Sequence, residues 1–161
     1  MISQTTGYAI SALAYLAGAE ERPVLVREIA EALDRPTPYL AKIVNALARR
    51  RLVITQRGIG GGVSLARSSA TISLWDVCEA LGDPAVEARC LLALEGCSDE
   101  RACPAHQFWK AHREAVWRFL RETTLADMAS FEAQRGRAPA LLHSSLGAGA
   151  VLRSLSRHTR H

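Results

Sequence analysis

One run of six residues, Arg57-Gly58-Ile59-Gly60-Gly61-Gly62, constrains the fold more than any other feature. It joins two short β-prone stretches, residues 52–56 and 62–66. Glycine adopts positive φ without a steric penalty, so three glycines between two strands, with a fourth opening the second, predict a tight hairpin with a flexible tip. Ala and Leu dominate the flanking sequence, and the helical spacing of its apolar residues predicts a mainly α chain carrying one small β-hairpin.

Three helices are expected before the hairpin. Ile10, Leu13, Ala14 and Ala17 form an apolar stripe over residues 6–19, punctuated by Gly18 and Pro23. Residues 26–33 carry Ile29, Ala30 and Leu33, after which Asp34-Arg35-Pro36 supplies a turn. In the third helix Thr37 is read as the N-cap and Pro38 as the first helical residue, where a missing N–H costs nothing. Leu40, Ile43, Val44 and Leu47 then face inward.

Two short helices, a tight turn, a third helix and a glycine-tipped hairpin is the element order of a winged helix-turn-helix, which sets its third helix in the major groove of DNA. On the polar side of that helix Thr37, Tyr39, Lys42 and Asn45 are the candidates for reading base edges or phosphates. Arg49, Arg50 and Arg51 at its far end are phosphate candidates. Arg57 and Gly58 at the hairpin tip are candidates for backbone or minor-groove contact. Charge is partitioned accordingly, with nine basic against five acidic residues over 1–67, six against eleven over 68–134, and five against none from Arg135 onward.

Beyond the hairpin, Ser73-Leu74-Trp75-Asp76 reads as a capping box opening a helix through Leu81, stopped by Gly82-Asp83-Pro84. Residues 104–122 form the longest expected helix, with apolar positions Phe108, Ala111, Ala115, Val116, Phe119 and Leu120. Thr124 caps a short last helix to about Phe131, and residues 136–161, rich in Gly, Ser, Ala and Arg, are expected to lack order. The domain reading is therefore a DNA-binding unit over 1–81, a cysteine-bearing loop over 82–103, a long helix with its short successor over 104–134, and a basic tail over 135–161.

Three of the four cysteines fall within fourteen residues as Cys90-x6-Cys97-x5-Cys103, followed at Cys103 plus three by His106. The chain has neither a secretory signal pattern nor an apolar run long enough to span a bilayer, so a cytoplasmic, membrane-free protein is expected. In that reducing compartment clustered thiols point to metal or redox chemistry rather than disulfides. Soft thiolates on a loop that bends at Gly96 suit iron, and a histidine fourth ligand suits a sensor because it protonates or dissociates. Zinc prefers closer C-x2-C pairs, yet zinc or redox-thiol control stays open beside an iron-sulfur cluster. Cys78, inside a helix with Val77 and Leu81, reads as a buried small hydrophobe. An enzyme is not expected, since no nucleotide loop and no paired-carboxylate site is present; a small iron-sulfur electron carrier is the remote alternative, although the fourth cysteine of a ferredoxin pattern is missing.

Together the Gly7-Tyr8-Ala9 opening of the first helix, Tyr39-Leu40 in the third, the Arg57 to Gly62 run and the three cysteines resemble the Rrf-two family of regulators, with its IscR and NsrR types, over residues 7–128. The resemblance implies a winged helix-turn-helix that dimerises through the long helix and sets two reading heads on a palindromic operator in double-stranded DNA. It also implies a 2Fe-2S cluster held in the IscR manner, by positions that map onto Cys90, Cys97, Cys103 and His106. NsrR-type sensors carry an acidic residue before the first-helix tyrosine, where this chain has Gly7. The x6 spacing is one residue longer than in many relatives, and Ala41 replaces a polar residue that some of them use on bases.

Overall fold

The computed structural model describes residues 1–19, 22–90, 92 and 98–137. Helix α1, Gln4–Ala17, begins two residues before the apolar stripe suggests, because the Ser3 hydroxyl accepts from the Thr6 N–H and caps it. Helices α2, Val26–Ala32, and α3, Thr37–Arg49, follow. Asp34 makes the turn between them at φ 50°, a conformation that Asp tolerates better than most residues. Thr37 is not the N-cap of α3. Pro36 occupies that position without a side-chain hydrogen bond, and Thr37 is the first helical residue.

Strands β1, Val53–Gln56, and β2, Gly62–Leu65, pair antiparallel from Val53↔Leu65 to Gln56↔Gly62. Val24 adds a one-residue third strand, exchanging hydrogen bonds of 2.9 and 2.8 Å with Val63. A Cβ on Gly61 would lie 2.3 Å from the Gln56 carbonyl oxygen, so the tip closes this tightly only around glycine. The wing is thus anchored at its base by Val24 and Val63, both buried, and open at its tip.

Helix α4, Leu74–Leu81, starts with the predicted capping box between Ser73 and Asp76 and ends at Gly82 with φ 64°. Helix α5, His106–Glu122, is the longest among the described residues. Helix α6, Leu125–Arg137, runs six residues past the expected end at Phe131 and packs along α1. Arg135 and its neighbours to Arg137 therefore belong to a helix, while the rest of the basic tail lies outside the described residues.

One core unites the chain. Leu13, Ile29, Leu40, Leu47, Ile72 and Val77 of the first four helices and their connections pack with Leu120 of α5 and Leu125 of α6. Each fully buried leucine contributes about 1.5–3 kcal/mol relative to exposure. The Leu74 N–H donates to the Thr123 carbonyl and the Leu125 N–H to the Ile72 carbonyl, both at 2.9 Å, so the α5–α6 junction is stitched to the start of α4. The expected apolar stripe of α5 divides: Leu120 is buried, Val116 half-buried, and Phe108, Ala111, Ala115 and Phe119 lie exposed. No helix among the described residues is long and apolar enough to cross a membrane.

Candidate nucleic-acid interface and cysteine loop

The amphipathic register of α3 fixes its outward face. Burying Leu40, Ile43, Val44 and Leu47 leaves Lys42 and Asn45 exposed on the opposite side, while Thr37 is exposed at the first turn of the helix, in line with Val44 two turns on. Tyr39 is half-buried. Its hydroxyl lies 3.2 Å from the Thr5 Oγ1, and its ring meets that of Tyr8 edge-on at 5.9 Å, so α3 is braced against the amino-terminal turn of α1. Arg35 lies over the Tyr8 ring at 4.5 Å, which places a cation at the same edge. Sequence reasoning passed over Arg35 as part of a turn; its place two residues ahead of Thr37 was the available signal.

At the wing, Arg57 and Gly58 are exposed, and the Gly61 N–H donates to the Gly58 carbonyl at 3.0 Å to close the tip. Gly58 has φ 98°. Ile59 at the apex is fully exposed, an apolar side chain close to Arg57 that nothing among the described residues covers. Arg49, the last residue of α3, and Arg50 and Arg51 just past it are exposed.

The cysteine loop leaves α4 at Asp83 and is tied back twice to α5. The Trp117 indole N–H donates to the Ala85 carbonyl and that of Trp109 to the Arg89 carbonyl, each at 2.9 Å. Cys90 and Cys103 are both half-buried free thiols, while Cys97 lies outside the described residues. His106 opens α5 and is 3% exposed. Its backbone N–H donates to the Cys103 carbonyl at 2.9 Å, and its Nε2 sits 2.8 Å from Asp99 Oδ1. No three potential metal ligands converge among the described residues. The available donors nevertheless fit a thiophilic metal: two partly shielded thiols and an imidazole whose ring is held by a carboxylate, the usual support for a ligating histidine. Cys78 is fully buried, and burial together with Asp83 pushes its thiol up to about 11, so it stays protonated and inert.

Asp83 is the residue that sequence reasoning missed. It is 2% exposed, and its carboxylate accepts from the Ser3 N–H at 2.8 Å and the Ala85 N–H at 2.9 Å, with the Thr6 hydroxyl also donating to it. Burial alone would raise its pKa; these hydrogen bonds outweigh it and hold the group below the usual carboxylate range. The root of the cysteine loop is thereby fixed to the first turn of α1, whose Thr5 meets Tyr39 of α3. A depressed folded pKa stabilises above the unfolded value of about 3.9 and loses that contribution as pH falls through the folded pKa. Asp83→Asn is expected to cost about 2 kcal/mol at pH 7, lowering Tm by about 5 °C, with the gap to wild type narrowing below about pH 4. Thermal unfolding followed by circular dichroism across pH checks this, and a pH-independent gap would contradict it.

Comparison with known proteins agrees with this architecture. A family model described as Rrf2, iron-dependent transcriptional regulator, matches residues 2–130. A putative HTH-type transcriptional regulator of Aquifex aeolicus is 37% identical over 134 residues, 82% of this chain and 93% of the relative. The HTH-type transcriptional regulator IscR of Yersinia pseudotuberculosis is 30% identical over 124 residues, 76% of this chain and 75% of that protein. Among solved structures, CymR, the global cysteine regulator of B. subtilis, superposes with a TM-score of 0.70 at 29% identity, covering 81% of this chain and 97% of CymR. T. potens IscR gives 0.66 at 27% identity, covering 85% and 90%.

Proposed function

The chain belongs to the Rrf2 (Rrf-two) family of DNA-binding transcription regulators, and on that premise we propose that it is a homodimeric, cytoplasmic sensor whose operator affinity is set by an iron-sulfur cluster. Its relatives are regulators and not enzymes. The ligands in this reading are Cys90, Cys97, Cys103 and His106, and the cluster is of the 2Fe-2S type. The observation that carries it is the buried imidazole at the head of α5, bonded to Asp99 and directly following a spaced run of three cysteines. When bound, such a cluster supplies a centre that reacts with oxidants or nitric oxide and depends on iron supply.

The protein's own residues supply the rest. Thr37, Tyr39, Lys42 and Asn45 face the major groove of a palindromic operator, while Arg57 and Gly58 bring the wing to the neighbouring backbone and minor groove. The cysteine loop touches the reading head by two routes. Asp83 holds its root to α1, and α5 carries His106 at one end and core residue Leu120 toward the other. Re-ordering of residues 83–103 therefore moves the frame on which α3 is braced, and with it the spacing of the two heads in a dimer.

Iron and acid-labile sulfide content, with a visible spectrum, on protein purified without oxygen tests the reading. Two irons and two sulfides per chain support it, and four of each would replace it with a 4Fe-4S centre. A colourless protein that resists reconstitution would favour the second reading, control by redox thiols or zinc, which the solved oxidized form of Staphylococcus aureus CymR keeps in view. The DNA side has its own test. Arg57→Ala is expected to weaken operator binding about tenfold and to lower the slope of log K against log salt by about one, read by fluorescence anisotropy at several salt concentrations. An unchanged salt slope would remove Arg57 from the phosphate contacts.

A further inference from the structure

Residues 57–61 close the wing, and three of them are glycines, so the side chains at the tip are those of Arg57 and Ile59. The Gly58 carbonyl accepts from the Gly61 N–H at 3.0 Å, which makes residues 58–61 a β-turn with Ile59 at its second position. Gly60 takes the third at φ 77°, as a type II turn requires there. Behind the turn stand the Gln56↔Gly62 pair and the Val24–Val63 bridge. Ile59 is therefore carried on a short turn backed by paired strands. Being β-branched, it is also stiff at χ1, so it has little freedom left to lose when a partner covers it. It is fully exposed, and nothing among the described residues gains from its being apolar.

We infer that Ile59 is a specificity residue of the wing: it enters the minor groove beside Arg57 and selects A·T over G·C pairs there. The inference rests on the wing placement above and adds to it a base preference. A tip with no further side chains is slim enough for a groove about 6 Å wide. On its floor an A·T pair shows only the acceptors adenine N3 and thymine O2, whereas a G·C pair adds the guanine amino group, a donor. The Arg57 guanidinium has donors and no acceptor, so it satisfies the first pattern and not the second. Ile59 has neither. Laid over a guanine amino group it would strip that donor of water and return no hydrogen bond, whereas over an A·T step it covers a floor whose acceptors Arg57 reaches.

The test uses the full chain and a duplex that wild type selects from a random library, with selection run on protein as purified and after anaerobic reconstitution. In that duplex each adenine in turn is replaced by 2,6-diaminopurine, which adds the amino group to the minor groove and leaves the major-groove pattern of the pair unchanged. Fluorescence anisotropy is expected to show wild type losing about tenfold in affinity at one or two of these positions in each half-site. Ile59→Ala is expected to bind the unmodified duplex about tenfold more weakly with an unchanged salt slope, and to be indifferent to the added amino group. Arg57→Ala is expected to lose salt slope and to keep the discrimination. A flat scan in wild type would overturn the inference, as would an Ile59→Ala variant that discriminates, or binds, as wild type does. Ile59→Ala should also melt at the wild-type temperature, and a drop of more than a few degrees would place Ile59 in the chain's own packing and refute a DNA role. An unchanged salt slope in Arg57→Ala would remove the wing's phosphate contact alone, and the diaminopurine scan would still decide Ile59. Wild type that selects no duplex would overturn the DNA-binding reading itself, and this inference with it.

Discussion

Cys97→Ala is expected to abolish cluster-dependent control while leaving a folded protein that still binds DNA. The core that holds α1–α6 together is built from aliphatic residues and Cys78, and neither Cys90 nor Cys103 contributes to it. Loss of one of four ligands lowers metal affinity far more than it lowers stability, so iron and sulfide are expected to fall at least about tenfold while Tm stays within a few degrees. Cys103→Ala should behave likewise, because the contact to His106 there uses the Cys103 backbone carbonyl and survives the substitution. Cys78→Ala is the control with the opposite signature: it empties part of the core and costs about 1–2 kcal/mol without touching iron content. The measurement is operator affinity of each variant with and without anaerobic reconstitution. A Cys97→Ala protein that still changed its DNA affinity on reconstitution would sink the cluster mechanism.

What the sequence made legible depended on the range of the interaction. Leu40, Ile43, Val44 and Leu47 repeat at the helical period and are all buried, and the Ser73–Asp76 box and Gly82 stop are local signals that the structure repeats. Boundaries slipped where a single side chain decided them, as at Ser3, whose hydroxyl starts α1 early, and at Pro36, which takes the cap from Thr37. Composition misled at α6, where Gly136 and the basic tail suggested an early stop, whereas packing along α1 carries the helix to Arg137. Asp83 was illegible for a different reason. Its partner Ser3 lies 80 residues away, and no local pattern marks a carboxylate that will be buried against a distant helix start. His106 could be singled out by spacing from Cys103, but its pairing with Asp99, which Lys110 also contacts, needed the turn that brings a residue seven positions upstream alongside it. Periodicity likewise identified an apolar stripe on α5 without saying whose surface covers it.

That stripe carries the second large effect. Phe108 is 73% and Phe119 57% exposed, and with Ala111 and Ala115 they form a row at spacings of three and four along α5. Small alanines between two large rings allow close approach of a like helix, which is how a dimer built through α5 would bury them. In the proposed dimer, Phe108→Glu with Phe119→Glu would place two charges in that seam, and the double variant is expected to sediment as a monomer where the wild type sediments as a dimer of 17.5 kDa chains. Neither side chain lies in the chain's own core, so the monomer should keep its helical circular dichroism. Operator affinity should fall at least about 100-fold, because two half-sites are no longer held by one molecule and the gain from linked binding disappears. The double variant should bind a single half-site about as well as the wild-type head does, which separates lost dimerisation from a damaged reading face. If it stayed dimeric, or bound the full operator as tightly as wild type, the two heads would have to be joined through some surface other than α5.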